Sequence, residues 1–478
     1  MKIKSIIPFI IVILLFLMYG CQSNYALPDP SISVMVTPKP LISVNQTDPP
    51  PPHTKFVDSM GFPFPYDTKL EVNSSGNMIL SRQQALEDYD AMWEMLDDNY
   101  PFFEIIESEL GINHNVISEE CRAKLLIGEN GISVLQFYNQ IDSCLANFNA
   151  IGHLYIVAPA HYAYTYAYPI DNIDNAHRKR MRYVIDSDKV YQTYTHLSGG
   201  SLESLFPTTD DSSVNIDIDQ IEQYLIDNKY IMTELYDNAA YIYIKEFLPP
   251  DDTKGYGSIL VDMCSEFFKE NQETPNLIID VSNNPGGGSR FWIEMVRSLL
   301  TENTPPYSIL QCGKSGAYNQ YIWDADKPEG AFSTNSNEWR VMFPNVTQES
   351  IKGMDWLLVS VDDDPLTPKK DSVRYEGNIW VLIGRGTYSA AEEFAVFCKE
   401  TGFATLVGSR TGGSGAGSFP FWFALPNSGL LISYEAYYAF NDDGTCNQVV
   451  GTKPDIEVKN GQTALEACLE AIRQRDNG

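Results

Sequence analysis

The chain is short of positive charge. It carries 33 lysines and arginines against 63 aspartates and glutamates, a formal charge of −30. Phosphate recognition needs a basic surface, so no nucleic-acid partner is expected. The acidity mainly says that the surface is well solvated. Histidine is scarce as well, with six in 478 residues. His161, His177 and His196 have no partner at metal-ligand spacing and read as surface residues. No CxxC pair and no zinc-type spacing occurs. The acid run 362–364 has no ligand pattern and reads as a solvated turn. No metal and no cofactor is therefore expected. The phosphate loop GxxxxGK[ST] is missing, and so is any internal repeat.

Long apolar runs are also rare. The clearest one is at the N-terminus, where Lys2 and Lys4 precede the apolar stretch Ile6–Tyr19 and then Gly20 and Cys21. At about 15 residues the run is short for a membrane span. A small residue followed by cysteine at the end of such a core resembles a bacterial lipoprotein signal, although Met18 and Tyr19 stand where leucine and a small residue are usual. The expectation is export, cleavage before Cys21 and a lipid on that cysteine, which would anchor the chain at a membrane surface. Seven cysteines remain, an odd number, so an oxidising compartment would leave at least one unpaired. Cys264 and Cys398 fall on apolar helix faces and read as core.

What is present divides the chain into five parts: 1–21 as signal, 22–79 as a proline-rich tether, 80–150 as a small helical domain, 151–238 as a connecting region, and 239–478 as an α/β domain. Pro28, Pro30, Pro38, Pro40 and Pro49–Pro52 keep the tether extended. Ser81 caps a helix with Ala85, Tyr89, Met92, Trp93 and Leu96 on one face, and Pro101 stops it. Ser133–Leu145 reads as a second helix. The turn ANFNAIGH places His153 before a short strand, 154–157, and another strand is expected around Met181–Ile185. From 239 onward strands and helices alternate. Leu277–Val281 is apolar throughout, as in a buried parallel sheet, and it runs into SNNPGGGSR and a helix. Residues 302–377 form an insertion that carries Trp323, Trp339 and Trp356 and is a candidate cover for the site. Leu430–Ala439 reads as one strand and Gln462–Arg473 as the closing helix.

The most informative stretch is Gly384–Gly417. An apolar strand, Ile379–Ile383, leads through a glycine turn to Ser389 at the head of the helix Ala390–Glu400. A serine there is either a helix cap or a nucleophile whose neighbouring free N–H groups form an oxyanion site. Acyl transfer needs a nucleophile, a base and N–H donors. Ser389, His153, and the backbone of Gly286, Gly287 and Ala390 supply that set.

In order and spacing, IIDVSNNPGG, TYSAAEEFAVFCKETGFATLVGSRTGG and GTKPDIEV resemble the S41 serine peptidases, which include the tail-specific (carboxyl-terminal processing) proteases, the tricorn core and the retinoid-binding repeats. The helix DYDAMWEMLDDNYP and the turn AIGHLYI resemble the front of the same family. The resemblance implies a crotonase-like sheet-and-helix core and a polypeptide substrate. It also implies a choice of base. The family's lysine position is Ser414 here, and Lys399 lies about 15 Å along the helix from Ser389. A Ser–Lys dyad is therefore disfavoured, and the resemblance to the tricorn-like branch implies His153 as base. That branch has a serine before the histidine, where Gly152 stands, and a carboxylate near the position of Gln448. Glu435, Asp442 and Asp443 are other candidates to orient His153. No carboxylate-binding GLGF-like turn is visible, so recognition of a free C-terminus is not expected. The alternative reading is a weak or inactive protein of the same fold that holds a peptide or apolar ligand.

Overall fold

The computed structural model describes residues 65–66, 69–167, 176–202, 218–250, 255–319, 331–335, 338–362, 365–418 and 420–476. The expected signal, Cys21, most of the tether and Trp323 lie outside these residues.

The sheet that leads into Ser389 has six strands. They are β2 (Ile231–Tyr236), β3 (Ala239–Ile244), β4 (Asn276–Asp280), β8 (Asn378–Ile383), β9 (Thr405–Gly408) and β13 (Ile456–Glu457). Their order is β13-β9-β8-β4-β3-β2, parallel except for the β2–β3 hairpin. The central strands are apolar on both faces because both faces are covered. Val381, Ile383, Leu277 and Ile279 pack against α6 (Tyr256–Glu270), α7 (Ser289–Arg297) and α8 (Ala390–Thr401). Trp380, Leu382, Ile278 and Val407 face Ala467, Cys468 and Ile472 of α9 (Ala464–Asp476) on the other side. The expected α/β core is thus present. Cys264 and Cys398 are buried in it.

Of the three smaller sheets among the described residues, two bear on the site. One is β10 (Phe421–Ala424), β11 (Leu431–Tyr434) and β1 (Tyr155–Ile156), in the order β10-β11-β1. The other takes three strands from the 302–377 insertion, β5 (Tyr307–Gly313), β6 (Ala331–Ser333) and β7 (Trp356–Asp362), together with β12 (Tyr437–Ala439), in the order β12-β5-β7-β6. The stretch 430–439 is therefore two strands belonging to two sheets, broken at Glu435 and Ala436, and not one.

The N-terminal helices include α1 (Arg82–Asn99) and α2 (Val134–Leu145), each opened by a capping box, at Ser81 and Ser133. Their apolar faces do not close a core of their own. Tyr89, Met92, Trp93, Leu96, Phe137 and Ile141 share one core with Leu310, Leu357, Phe421, Tyr434 and Tyr438. Met181–Ile185 is not a strand but the end of a helix, α4 (Ala176–Ile185), which lies between α3 (Pro159–Ala167) and α5 (Asp188–Leu197). Met181, Val184 and Ile185 have the three-to-four spacing of a helix face and pack on Tyr162, Tyr194 and Trp422.

One buried acid ties α1 to the β10–β11 turn. The Asp88 carboxylate accepts from the Asn427 backbone N–H (2.7 Å), the Asn427 side-chain amide (3.0 Å) and the Ser428 backbone N–H (2.8 Å). Asp88→Ala strands these donors, and the expected loss of stability is about 2–4 kcal/mol. Urea unfolding checks this; a loss below about 0.5 kcal/mol would mean that the turn holds itself.

Candidate active site

Ser389 stands between β8 and α8 in a sparsely populated conformation, φ 54° and ψ −123°. A non-glycine residue there costs on the order of 1–3 kcal/mol. The turn before it is held from several sides. Thr387 Oγ1 donates to Val281 O (2.7 Å) and accepts from Gly384 N–H (3.1 Å). The Ser389 N–H donates to Gly413 O (3.2 Å). The Ser389 side chain makes no capping bond to the helix. Its Oγ lies 3.2 Å from His153 Nε2.

His153 ends a left-handed run in which Asn149, Ala150, Gly152 and His153 all have φ between 51° and 56°. Three hydrogen bonds hold this loop. Tyr388 Oη donates to Ala150 O (3.0 Å), Tyr100 Oη to Ile151 O (2.7 Å), and Glu435 N–H to Gly152 O (2.6 Å). The last bond extends the pairing of β1 with β11. With Tyr155 opposite Ser433, antiparallel register brings His153 opposite Glu435. His153 Nδ1 is 2.5 Å from Glu435 Oε1, and Glu435 is fully buried. Gln448 Nε2 donates to Glu435 Oε2 (3.0 Å), while Gln448 Oε1 accepts from Ala439 N–H (3.0 Å). With Nδ1–H given to the carboxylate, the lone pair of Nε2 faces the serine.

Of the expected orienters, Glu435 touches the imidazole and Gln448 acts behind it. Asp443 pairs instead with Arg410 (3.1 Å), and Asp442 lies beside Glu400. Lys399 is ion-paired with Asp455. Ser414, in the lysine's place, is buried, and its hydroxyl has no hydrogen-bond partner among the described residues.

The three expected backbone donors separate. Gly286 N–H is already given to Asn284 Oδ1 (2.8 Å), so it is not free for an oxyanion. Gly286 serves as a spacer: a Cβ on it would stand 2.8 Å from Ala390 N and from Ser389 Cβ. Gly286 O and Gly288 N–H both bond to Phe247. Alternation along the strand turns Gly287 N–H away from Phe247. Among the described residues, Gly287 N–H and Ala390 N–H have no protein acceptor.

Gly152 has a steric reason for replacing the family's serine. At φ 56° a Cβ there would lie 2.4 Å from the Phe102 ring. His161 is not a surface residue: its ring meets Trp422 edge-on at 4.8 Å, and its Nδ1 is buried. His196 is half-buried, with Met78 N–H 3.4 Å from its Nε2. The sequence reading missed Tyr100 and Tyr388, whose hydroxyls have no periodic signature. It also missed Glu392, whose buried carboxyl accepts from Asn447 Nδ2 and Thr452 Oγ1 (2.6 Å each) and fixes the turn behind α8. Burial raises the Glu392 pKa.

A carboxylate, an imidazole and a hydroxyl thus stand in line at a strained turn of an α/β sheet, an arrangement able to activate the hydroxyl. Residues 238–458 match the model of peptidase family S41. The segment holds Ser389 and Glu435, while His153 precedes it. No curated protein matches the chain. Similar solved structures include mature CPAF, 15% identical over 82% of this chain and 96% of that one, TM-score 0.48. A lipoprotein from Streptococcus agalactiae is 13% identical over 84% and 99%, TM-score 0.39. The photosystem II D1 C-terminal processing protease is 14% identical over 82% and 96%, TM-score 0.36.

Two substitutions test the geometry through the rate at which Ser389 reacts with a fluorophosphonate. Glu435→Gln offers an amide to Nδ1 and favours the wrong tautomer. The expected loss is roughly 10³–10⁴-fold, and a loss under threefold would remove Glu435 from the line. Gly152→Ser must displace Phe102 or the histidine loop. A reduction of at least tenfold is expected, and an unchanged rate in a folded variant would show that the loop adapts.

Proposed function

We propose that the chain hydrolyses peptide bonds through an acyl-enzyme on Ser389. The observation that carries this reading is the unbroken line from Glu435 through His153 to Ser389 Oγ, with bonds of 2.5 and 3.2 Å. His153 Nε2 takes the hydroxyl proton as Oγ attacks the scissile carbonyl carbon. The buried Glu435 carboxylate stabilises the imidazolium and holds its orientation. Gly287 and Ala390 N–H groups receive the oxyanion, with the positive end of α8 behind them. Collapse of the tetrahedral intermediate breaks the C–N bond, and His153 gives its proton to the leaving amine. Water, deprotonated by the same nitrogen, then releases the acyl group.

The substrate on this reading is a polypeptide. The reading places the enzyme outside the cytoplasm, tethered by 22–79 to a lipid on Cys21. The ligand-binding alternative draws on the retinoid-binding branch, the missing lysine and the missing carboxylate; the contact of Glu435 with His153 speaks against the last of these only.

The deciding experiment incubates the chain with a fluorophosphonate and, separately, with a peptide library. Wild type, Ser389→Ala and His153→Ala are compared. Labelling and cleavage in wild type, both lost in Ser389→Ala and reduced at least a hundredfold in His153→Ala, are the expected outcome. A folded wild type that neither labels nor cleaves would replace this mechanism with the ligand-binding reading.

A further inference from the structure

The sheet that sets His153 opposite Glu435 carries a second feature on the same face. Trp422, Ser433 and Tyr155 are mutually paired across β10, β11 and β1. Directly paired residues project from one face of a sheet. On the next rung of that face, Ala424, Leu431 and Val157 form part of a dry core under α3, α4 and α5. The Trp422 ring joins the same core, but the polar atoms of its rung are left over. Among the described residues, Trp422 Nε1 and Ser433 Oγ are buried without a hydrogen-bond partner. His161 reaches in from α3, edge-on to Trp422 at 4.8 Å and 6.4 Å from the Tyr155 ring. Its Nδ1 is also buried and unpartnered.

Unpaired buried polar atoms are rare in folded proteins, and three gathered on one face call for a common partner. Their position says what that partner is. Tyr155 is two residues from His153, with its ring 6.4 Å from the imidazole. Ser433 is two residues from Glu435. The cluster therefore adjoins the bond-breaking site, one strand repeat away. Tyr155 and His161 are partly exposed, whereas Trp422 and Ser433 are closed in. The first pair forms a mouth and the second a floor.

We propose that this face is a substrate subsite that receives an uncharged amide side chain, glutamine or asparagine, from a residue flanking the scissile bond. The indole N–H can only donate and needs an acceptor such as an amide carbonyl. The Ser433 hydroxyl and an imidazole nitrogen can accept, and an amide NH₂ supplies donors for both. Burial, with His153 nearby, lowers the His161 pKa to about 4, so its ring is neutral. None of the lining polar groups then carries a charge to balance a carboxylate or an ammonium. This inference rests on the peptidase reading for its substrate but not for its geometry.

The test uses the full chain and one peptide scaffold varied at the residues flanking the cleaved bond among Gln, Asn, Glu, Leu and Ala. Wild type, Ser433→Ala and Trp422→Phe are compared. Removing an unpaired hydroxyl leaves no new orphan, so Ser433→Ala should melt no lower than wild type. The expected kcat/KM preference for Gln or Asn over Leu and Glu is roughly tenfold or more in wild type, falling towards one in both variants. Binding of the same peptides to Ser389→Ala and Ser389→Ala/Ser433→Ala gives a readout that needs no turnover. An amide preference in binding, lost with Ser433, supports the subsite even if fluorophosphonate labelling fails and the catalytic reading falls. Normal labelling with no amide preference, or a preference untouched by both substitutions, overturns the subsite and leaves a face that holds water only.

Discussion

The pairing of β1 with β11 is two residues long, yet the chemistry depends on it. Glu435 and His153 are 282 positions apart, and nothing local brings them together. Their approach follows from register. A slip of one residue would leave the two side chains on opposite faces of the sheet. The register is in turn fixed by burial on both sides. Ile156 and Ile432 face the core shared with the N-terminal helices, while Val157 and Leu431 face the core under α3, α4 and α5. Asp88 holds the turn that starts β11. The N-terminal helices thus act on the site at a distance, by fixing the strand that carries its anion.

The site also concentrates backbone strain. Asn149, Ala150, His153, Ser389 and Ser414 are all non-glycine residues at positive φ. Each such residue persists only where its surroundings over-determine it. Here the surroundings are two tyrosine hydroxyls, one inter-strand N–H and the tied turn before Ser389. Tyr388 joins the two strained segments. Its backbone precedes Ser389, its hydroxyl holds the histidine loop, and its ring lies 5.1 Å from the imidazole. His153 and Ser389 are therefore not positioned independently.

Much of this was legible in the sequence wherever the cause is local. The parallel strands announce themselves by continuous apolar runs, and Ser389 by a glycine turn between strand and helix. His153 follows a turn rich in asparagine and glycine. Glu435 was visible only as one acid among several, because its role depends on sheet register. Gly286 was assigned a donor that the Asn284 side chain consumes, a competition that pattern reading does not show. The helix ending in Ile185 was mistaken for a strand because its last residues are β-branched or aromatic. Packing on Tyr162 and Trp422 overrides that propensity. The N-terminal helices were found, but not the core they share with strands more than two hundred residues later.

Gln448 shows why an amide suits the position where the family resemblance points to an acid. Its neighbour Glu435 is fully buried and already carries the negative charge that the imidazolium needs. A second carboxylate 3 Å away could not also ionise; the pair would share a proton and weaken the hold on Nδ1–H. An amide avoids this only if it presents its NH₂. Here the choice is enforced, because Ala439 N–H takes the Gln448 carbonyl oxygen and turns the nitrogen towards Glu435 Oε2. Gly417 completes the enclosure. It packs so closely that a Cβ would fall 2.1 Å from Glu435 Oε2 and 2.4 Å from Gln448 Nε2. Water is thus kept from the carboxylate on that side, and a low local dielectric strengthens its attraction for the imidazolium. The carboxylate stands at Glu435, between two strands, and not at the position of Gln448 in the helix Asn447–Val450, where the resemblance implies an acid; the glutamine and the glycine are the adjustments that fit it there.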